Sequence, residues 1–347
     1  VGREPGALRQ SLAPAAHPAS RSDQGEALAG LDSFEPTHLT SDGRLKLIVS
    51  FDRPGASNKV RNSCKDGQCF RIGEELPLVN GFTAEVEPKS VDRLLKSLPK
   101  GSRVAVDREL DYPDPRHLTS PGASKGKSVK AVDIADSVIG IERVWNQGFT
   151  GKGQTIAVID SGIHPHPDLE GKIVGWVDLK DGKTEPFDTF GHGTHVAGVA
   201  AGTGARSAGA VKGIAPDADL VGVRITSVAE AIKGIQWVID NKEKYNISVI
   251  NMSLGDFAAR SYKDDPWAQA AEKAIEAGLV VVVAAGNDGP SEGSVSTPGI
   301  HPDMITVGAL DDHQTLDRGD DTVADFSSRG PTSVDSLTKP DLLAPGV

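Results

Sequence analysis

The chain has 347 residues, 38% of them apolar and 24% charged, and a formal net charge of −11. That acidic balance argues against a nucleic-acid-binding surface, which is ordinarily basic. No apolar run approaches the roughly 18 residues that span a bilayer, and the length allows one large domain with a smaller one.

Residues 1–40 are rich in Ala, Pro, Ser and Gly without apolar periodicity and read as a flexible leader. No signal peptide is visible, but the chain starts at Val1 rather than Met, so this says little about compartment. Residues 41–110 have the pattern of a small α+β domain. LKLIVSFD (45–52), GFTAEVEP (81–88) and SRVAVDREL (102–110) read as strands, and SVDRLLKSL (90–98) puts Val91, Leu94, Leu95 and Leu98 on one helical stripe. Cys64 and Cys69 flank Asp66-Gly67, a turn-forming pair, so a local disulfide and an oxidising compartment are expected. Two free thiols are the alternative; zinc lacks a second ligand pair at finger spacing. The Pro/Gly/Ser/Lys-rich stretch 111–130 reads as a linker.

From 131 to 347 strands alternate with helices. QTIAVID (154–160), DLVGVRI (219–225), ISVINMSL (247–254), LVVVVAAG (279–286) and MITVGAL (304–310) are continuous apolar runs, as strands buried on both faces require. VAEAIKGIQWVI (228–239) and WAQAAEKAIEAG (267–278) are helical, the second stopped by Gly278. The fold class expected is α/β, a doubly wound and largely parallel sheet, with chemistry beyond the carboxyl ends of the strands.

Three polar residues stand at such ends or beside them. Asp160 closes the first buried run, His192 opens a small-residue helix in GHGTHVAG, and Asn287 follows AAG after four valines. Singly, each is ordinarily a turn or cap residue. Together they supply what acyl transfer needs: an acid to orient an imidazole, a base, and an amide donor for an oxyanion. Asp before His is the chain order of the subtilisin arrangement. A zinc pair is excluded by spacing, since His192 and His195 are three apart with Gly and Thr between, not HExxH.

With VIDSG, GHGTHVAG, NMSLG (251–255), AAGN, FSSRGP (326–331) and KPDLLAPGV (339–347) in that order, the chain resembles subtilisin-like serine proteases, the subtilases. The resemblance implies a serine endopeptidase acting on polypeptides, with no cofactor required for the chemistry. It makes Asp160 the orienting acid, His192 the general base and Asn287 the oxyanion donor. Ser253, Leu254, Gly255, Ala284, Ala285, Gly286 and Ser296 would bind substrate. Ser296 at the pocket base with apolar walls suggests large apolar side chains at the scissile position. His195 would be a buried helix residue bonded to nearby backbone. The small domain is similar to the family's inhibitory propeptide, a ferredoxin-like β-α-β-β-α-β unit, although its first helix is not evident in the sequence. It would be an intramolecular inhibitor, cut within 111–130 in a secreted or exported enzyme.

Three departures qualify the resemblance. The nucleophilic serine block is expected beyond Val347, so this stretch alone is predicted inactive; Ser333 lacks the context and reads as a loop residue. The alternative is a non-catalytic, protease-binding pseudoprotease. VRITSVAEAIKG (223–234) is shorter than the family's substrate-pairing edge, which shifts backbone binding toward NMSLG. GTGARSAGAVKG (202–213) lacks the family's calcium loop. The Asp-rich stretch 311–327 offers oxygen ligands for a structural Ca²⁺, or is a solvated loop.

Overall fold

The computed structural model describes residues 39–63, 70–112 and 138–347. The leader through residue 38, the cysteine pair, and the linker from 113 lie outside the described residues.

The first unit is built from β1 (Leu45–Phe51), α1 (Ala56–Ser63), β2 (Arg71–Leu76), β3 (Gly81–Val86), α2 (Val91–Ser97) and β4 (Ser102–Val106). Its antiparallel sheet has the order β2-β3-β1-β4. That is the expected β-α-β-β-α-β unit, now with its first helix. Two elements escaped the sequence reading. Helix α1 (ASNKVRNS) is almost wholly polar, and β2 (RIGEEL) is an edge strand that buries only Leu76, so neither has an apolar period to detect. SRVAVDREL stops being a strand of this sheet at Val106, because residues 108–110 pair elsewhere.

Strand β1 lies in the middle of the sheet, and Leu47, Ile48 and Val49 are all fully buried. The alternation explains why. Leu47 and Val49 pack with Val60, Phe82 and Leu94 of the unit's own core, while Ile48 joins Leu76 and Val79 in the core of the second unit.

The second unit comprises α3 (Ile141–Trp145), β5 (Thr155–Asp160), β6 (Ile173–Asp178), α4 (His192–Ala201), β7 (Asp219–Arg224), α5 (Val228–Tyr245), β8 (Ile247–Met252), α6 (Pro266–Glu276), β9 (Val280–Ala284), β10 (Ile305–Asp311), β11 (Thr322–Val323) and β12 (Leu342–Pro345). The sheet runs β11-β10-β9-β8-β5-β7-β6, with β12 also paired to β10. Every pairing is parallel except β10 with β11. Later strands are laid on both sides of β5, so the strand order reverses there, which is where such sheets place their sites. β5 is covered on both faces: Ala157 and Ile159 face the core shared with α5 and α6, and Val158 packs with Ala197 and Ala201 of α4.

Helices α5 and α6 are the seat of the first unit. Asp265 caps α6 by accepting from Trp267 and Ala268 N–H, at 3.0 and 2.9 Å, and Pro266 takes the first helical position. Around the apolar contact, Arg103 pairs with Asp264, Lys233 with Glu74, and Arg260 donates to the Val104 carbonyl at 3.0 Å. Asp107, in the segment after β4, accepts the Ala229 N–H at the start of α5 at 2.8 Å.

Burial pushes the Asp107 carboxyl up to about 6, against donors from Ala229 and Ser227 that oppose the shift. A carboxyl raised in the docked state favours docking at low pH. Its contribution is lost as pH rises from about 4 to about 6, by at most ~3 kcal/mol. We therefore expect the urea midpoint of the wild-type chain to fall across that window relative to Asp107→Asn, whose amide still accepts from Ala229. Parallel pH profiles for the two proteins would rule out this role for Asp107.

Candidate active site

The site begins where β5 ends. Asp160 is fully buried, and its Oδ1 accepts the Ser161 N–H and meets His192 Nδ1, both at 2.7 Å. Its other oxygen, Oδ2, is buried without a hydrogen-bond partner. A carboxylate against Nδ1 holds the proton on that nitrogen and leaves Nε2 its lone pair, the form in which imidazole can accept a proton.

His192 is the first residue of α4, preceded by Gly191 at φ 101°. Gly193 lies so close under β5 that a Cβ there would stand 2.1 Å from the Gly162 carbonyl and 3.0 Å from Asp160 Oδ1. The two sides of this contact are tied by Asp188. It accepts from the N–H groups of Phe190, Gly191 and Thr194, from the Thr194 hydroxyl, and from Ser161 Oγ at 3.1 Å. Ser161 Oγ in turn accepts from Gly193 N–H at 2.9 Å. Burial opposes the Asp188 charge, yet those donors outweigh it and hold the carboxyl below its ordinary value. Asp188 was not among the residues expected at the site, although an Asp shortly before a helix start is a capping signal.

A second cluster forms beyond β8 and β9. Leu254 is buried, and Asn251 Nδ2 donates to Ser253 Oγ at 2.9 Å. Ser296 N–H donates to the Ala285 carbonyl at 2.8 Å. Both Gly255 and Gly286 abut Ser296: added Cβ atoms would meet its Cβ at 2.8 Å and its Oγ at 2.1 Å respectively. Gly286 stands two residues past Ala284, the last residue of β9, and takes φ +106°. Gly255, Ala285 and Gly286 thus gather around Ser296, and Asn287, next in the chain, is exposed.

The segment leaving the first unit crosses this region. Leu110 N–H donates to the Thr226 carbonyl at 2.8 Å and Val228 N–H to the Arg108 carbonyl at 3.1 Å, an antiparallel bridge centred on Glu109 and Ser227. The stretch 223–234 thus presents a pairing edge at Thr226–Val228. Tyr112 follows, its ring centroid 5.8 Å from that of His192 and 5.4 Å from that of Phe190. Its hydroxyl donates to the Ile225 carbonyl at 2.6 Å.

Comparison with known sequences decides the family. The subtilase family model matches residues 151–347, and serine protease AprX of Bacillus subtilis (strain 168) is 43% identical over 335 residues, 91% of this chain and 71% of that protein. The chain belongs to the subtilase family. Subtilisin E of the same strain is 33% identical over 288 residues, 80% of this chain, which spans 64% of that relative. Fervidolysin from Fervidobacterium pennivorans shares the fold, with a TM-score of 0.60 at 24% identity over 91% of this chain and 48% of that one. A subtilase is a serine endopeptidase, so the fold class and the reaction type expected from the sequence both stand.

One expectation needs correction. His195 is exposed on α4 rather than buried. The helix turns it away because His192 and Gly193 face β5. Ser333 donates to the Ala258 carbonyl at 3.2 Å, a loop contact. Among the described residues no group of three or more His, Cys, Asp or Glu side chains comes together as a metal site. In the 311–327 stretch Asp311, Asp312 and Asp317 accept N–H groups of their own turns. No helix among the described residues is long and apolar enough to cross a membrane.

The crowding at Gly193 makes a direct test of the site. Gly193→Ala forces α4 off β5, and we expect about 1–3 kcal/mol of lost stability from overpacking. The downfield NMR resonance of the His192 Nδ1 proton should also be lost or shifted. An unchanged resonance would mean that the close approach does not set the Asp160–His192 geometry.

Proposed function

We propose that this chain is the acid–base part of a serine endopeptidase precursor, in which Asp160 orients His192, His192 is the general base, and Asn287 donates to the oxyanion. The observation that carries this reading is the 2.7 Å contact between a fully buried Asp160 and His192 Nδ1 at the carboxyl end of β5. His192 Nε2 takes the proton of a serine hydroxyl as its oxygen attacks the scissile carbonyl. The Asn287 amide donates to the resulting oxyanion, and the proton passes to the leaving amine. Among the described residues no serine hydroxyl bonds His192; the nucleophile is the serine of the family's downstream block.

Residues 41–110 are the propeptide in this reading, 111–130 the processing linker, and 131–347 the catalytic domain. Support comes from the β-α-β-β-α-β topology, from docking on α5 and α6, and from the way 108–112 lies along Thr226–Val228 with Tyr112 against His192. An extended chain paired to that edge is how a polypeptide substrate is held, by main-chain bonds with side chains dropping alternately into pockets. Leu254, Gly255, Ala284, Ala285, Gly286 and Ser296 wall the pocket for the residue before the scissile bond, and Ser253 binds its backbone. Export from the cell accords with a propeptide and with the cysteine pair. Calcium has no part in the reaction steps.

The enzyme expressed from its complete reading frame should be labelled by a fluorophosphonate probe, and His192→Ala should abolish labelling. Asn287→Ala should lower kcat about 10²–10³-fold with KM little changed, the magnitude known for one such donor in a subtilisin. Labelling that survives the His192 change, or an unaltered kcat after the Asn287 change, would remove that residue from the mechanism.

A further inference from the structure

The segment 108–112 carries more than a blocked cleft, because its side chains alternate in register with three different seats. Arg108 Nη1 meets Asp256 Oδ1 at 3.1 Å, just past Gly255. Leu110, 8% exposed, joins the buried cluster that contains Val228, Ala229, Ile232 and Leu254. Tyr112 lies against His192 and Phe190 and donates its hydroxyl to the Ile225 carbonyl at 2.6 Å. Glu109 and Asp111, between them, are exposed.

We infer that this cleft selects polypeptides of the pattern Arg-x-Leu-x-Tyr, and that residues 108–112 are the chain's own copy of that pattern. This rests on the reading that 108–112 lies as substrate does. The three seats differ in chemistry: a carboxylate for a cation, an apolar hollow for a branched aliphatic side chain, and an aromatic slot ending in a main-chain acceptor. That acceptor distinguishes tyrosine from phenylalanine. Ile225 is fully buried, and an aromatic side chain without a hydroxyl leaves its carbonyl unpaired. Burial, reinforced by the Asp160 charge, holds the Tyr112 phenol well above its ordinary value, so it remains a donor across the working pH range. Because Glu109 and Asp111 face outward, the two intervening positions are free.

The test uses the full chain with Leu110→Ala and Tyr112→Ala together, which empties two seats while leaving the docked first unit its Ile48, Leu76 and Val79 contacts. Acetyl-Arg-Glu-Leu-Asp-Tyr-amide is titrated in, and binding is read from the carbon-bound ring protons of His192 by NMR. The Tyr peptide should bind and shift them. Its Phe analogue should bind about tenfold more weakly and its Ala analogue about a hundredfold. Replacing Asp by Ala should change the affinity less than about twofold, since that side chain makes no buried contact. Equal affinities for the Tyr and Phe peptides would overturn the selection but leave the cleft a peptide site. Failure of every peptide to move His192 would overturn the reading beneath it. Should the double variant not fold, Tyr112→Phe in the otherwise unchanged chain serves instead. Amide exchange at Leu110 and Val228 should then quicken about tenfold, and unchanged exchange would overturn the proposal.

Discussion

A carboxylate with one oxygen spoken for and the other abandoned is the constraint on which this structure turns. Asp160 sits fully buried at the end of β5, with Oδ1 shared between Ser161 N–H and His192 and Oδ2 unpartnered. Leaving a buried polar atom unsatisfied costs about 1–3 kcal/mol, more for a charged one. Such a cost persists when the surroundings over-determine the geometry, and here they do. β5 is locked by parallel neighbours on both sides, Gly193 lets α4 approach to contact distance, and Asp188 bonds both strand end and helix start. None of these groups touches a substrate in the proposed mechanism, yet each fixes where the imidazole stands.

The helical layer has a second task. α5 and α6 close the sheet on the face away from α4, and their outer surface receives the sheet of the first unit. Ile48, Leu76 and Val79 therefore belong to the same apolar cluster as Ile159, Ile235 and Trp267. Its apolar part is non-directional and alone would fix no register. The ion pairs at its margin and the Arg260 bond to the Val104 carbonyl supply that direction.

How much of this the sequence revealed follows from how each element is made. β5 and β7 were legible as apolar runs and are almost wholly buried, but β9 and β10, read in the same way, leave Val280 and Ile305 exposed and Val282 and Val307 half-buried. Asp160, His192 and Asn287 were legible because each closes or follows such a run or opens a helix. β6 (IVGWVD) was not legible, and its burial too is broken by exposed and half-buried positions. α1 and β2 were invisible for want of an apolar period. Helix α5 runs six residues past the apolar stripe read from the sequence, to Tyr245, because the left-handed Asn246 and not the end of the stripe terminates it. Tyr112 was missed for a different reason. Its partners, Ile225 and His192, lie far along the chain, and composition does not encode such pairings.

The start of α5 joins the two themes. A helix leaves its first N–H groups without partners inside it. At α5 the Glu230 N–H goes to the Ser227 hydroxyl at 3.3 Å, but the Val228 N–H goes to the Arg108 carbonyl and the Ala229 N–H to the Asp107 carboxyl. Two adjacent residues of the first unit thus complete a helix of the second. The same two donors set where the following residues lie, and carry Leu110 and Tyr112 into the cleft in register. Docking of the first unit and filling of the cleft are therefore not separate events joined by a tether. They share hydrogen bonds at one helix terminus, so whatever frees Asp107 and Arg108 from α5 also frees the segment that covers His192.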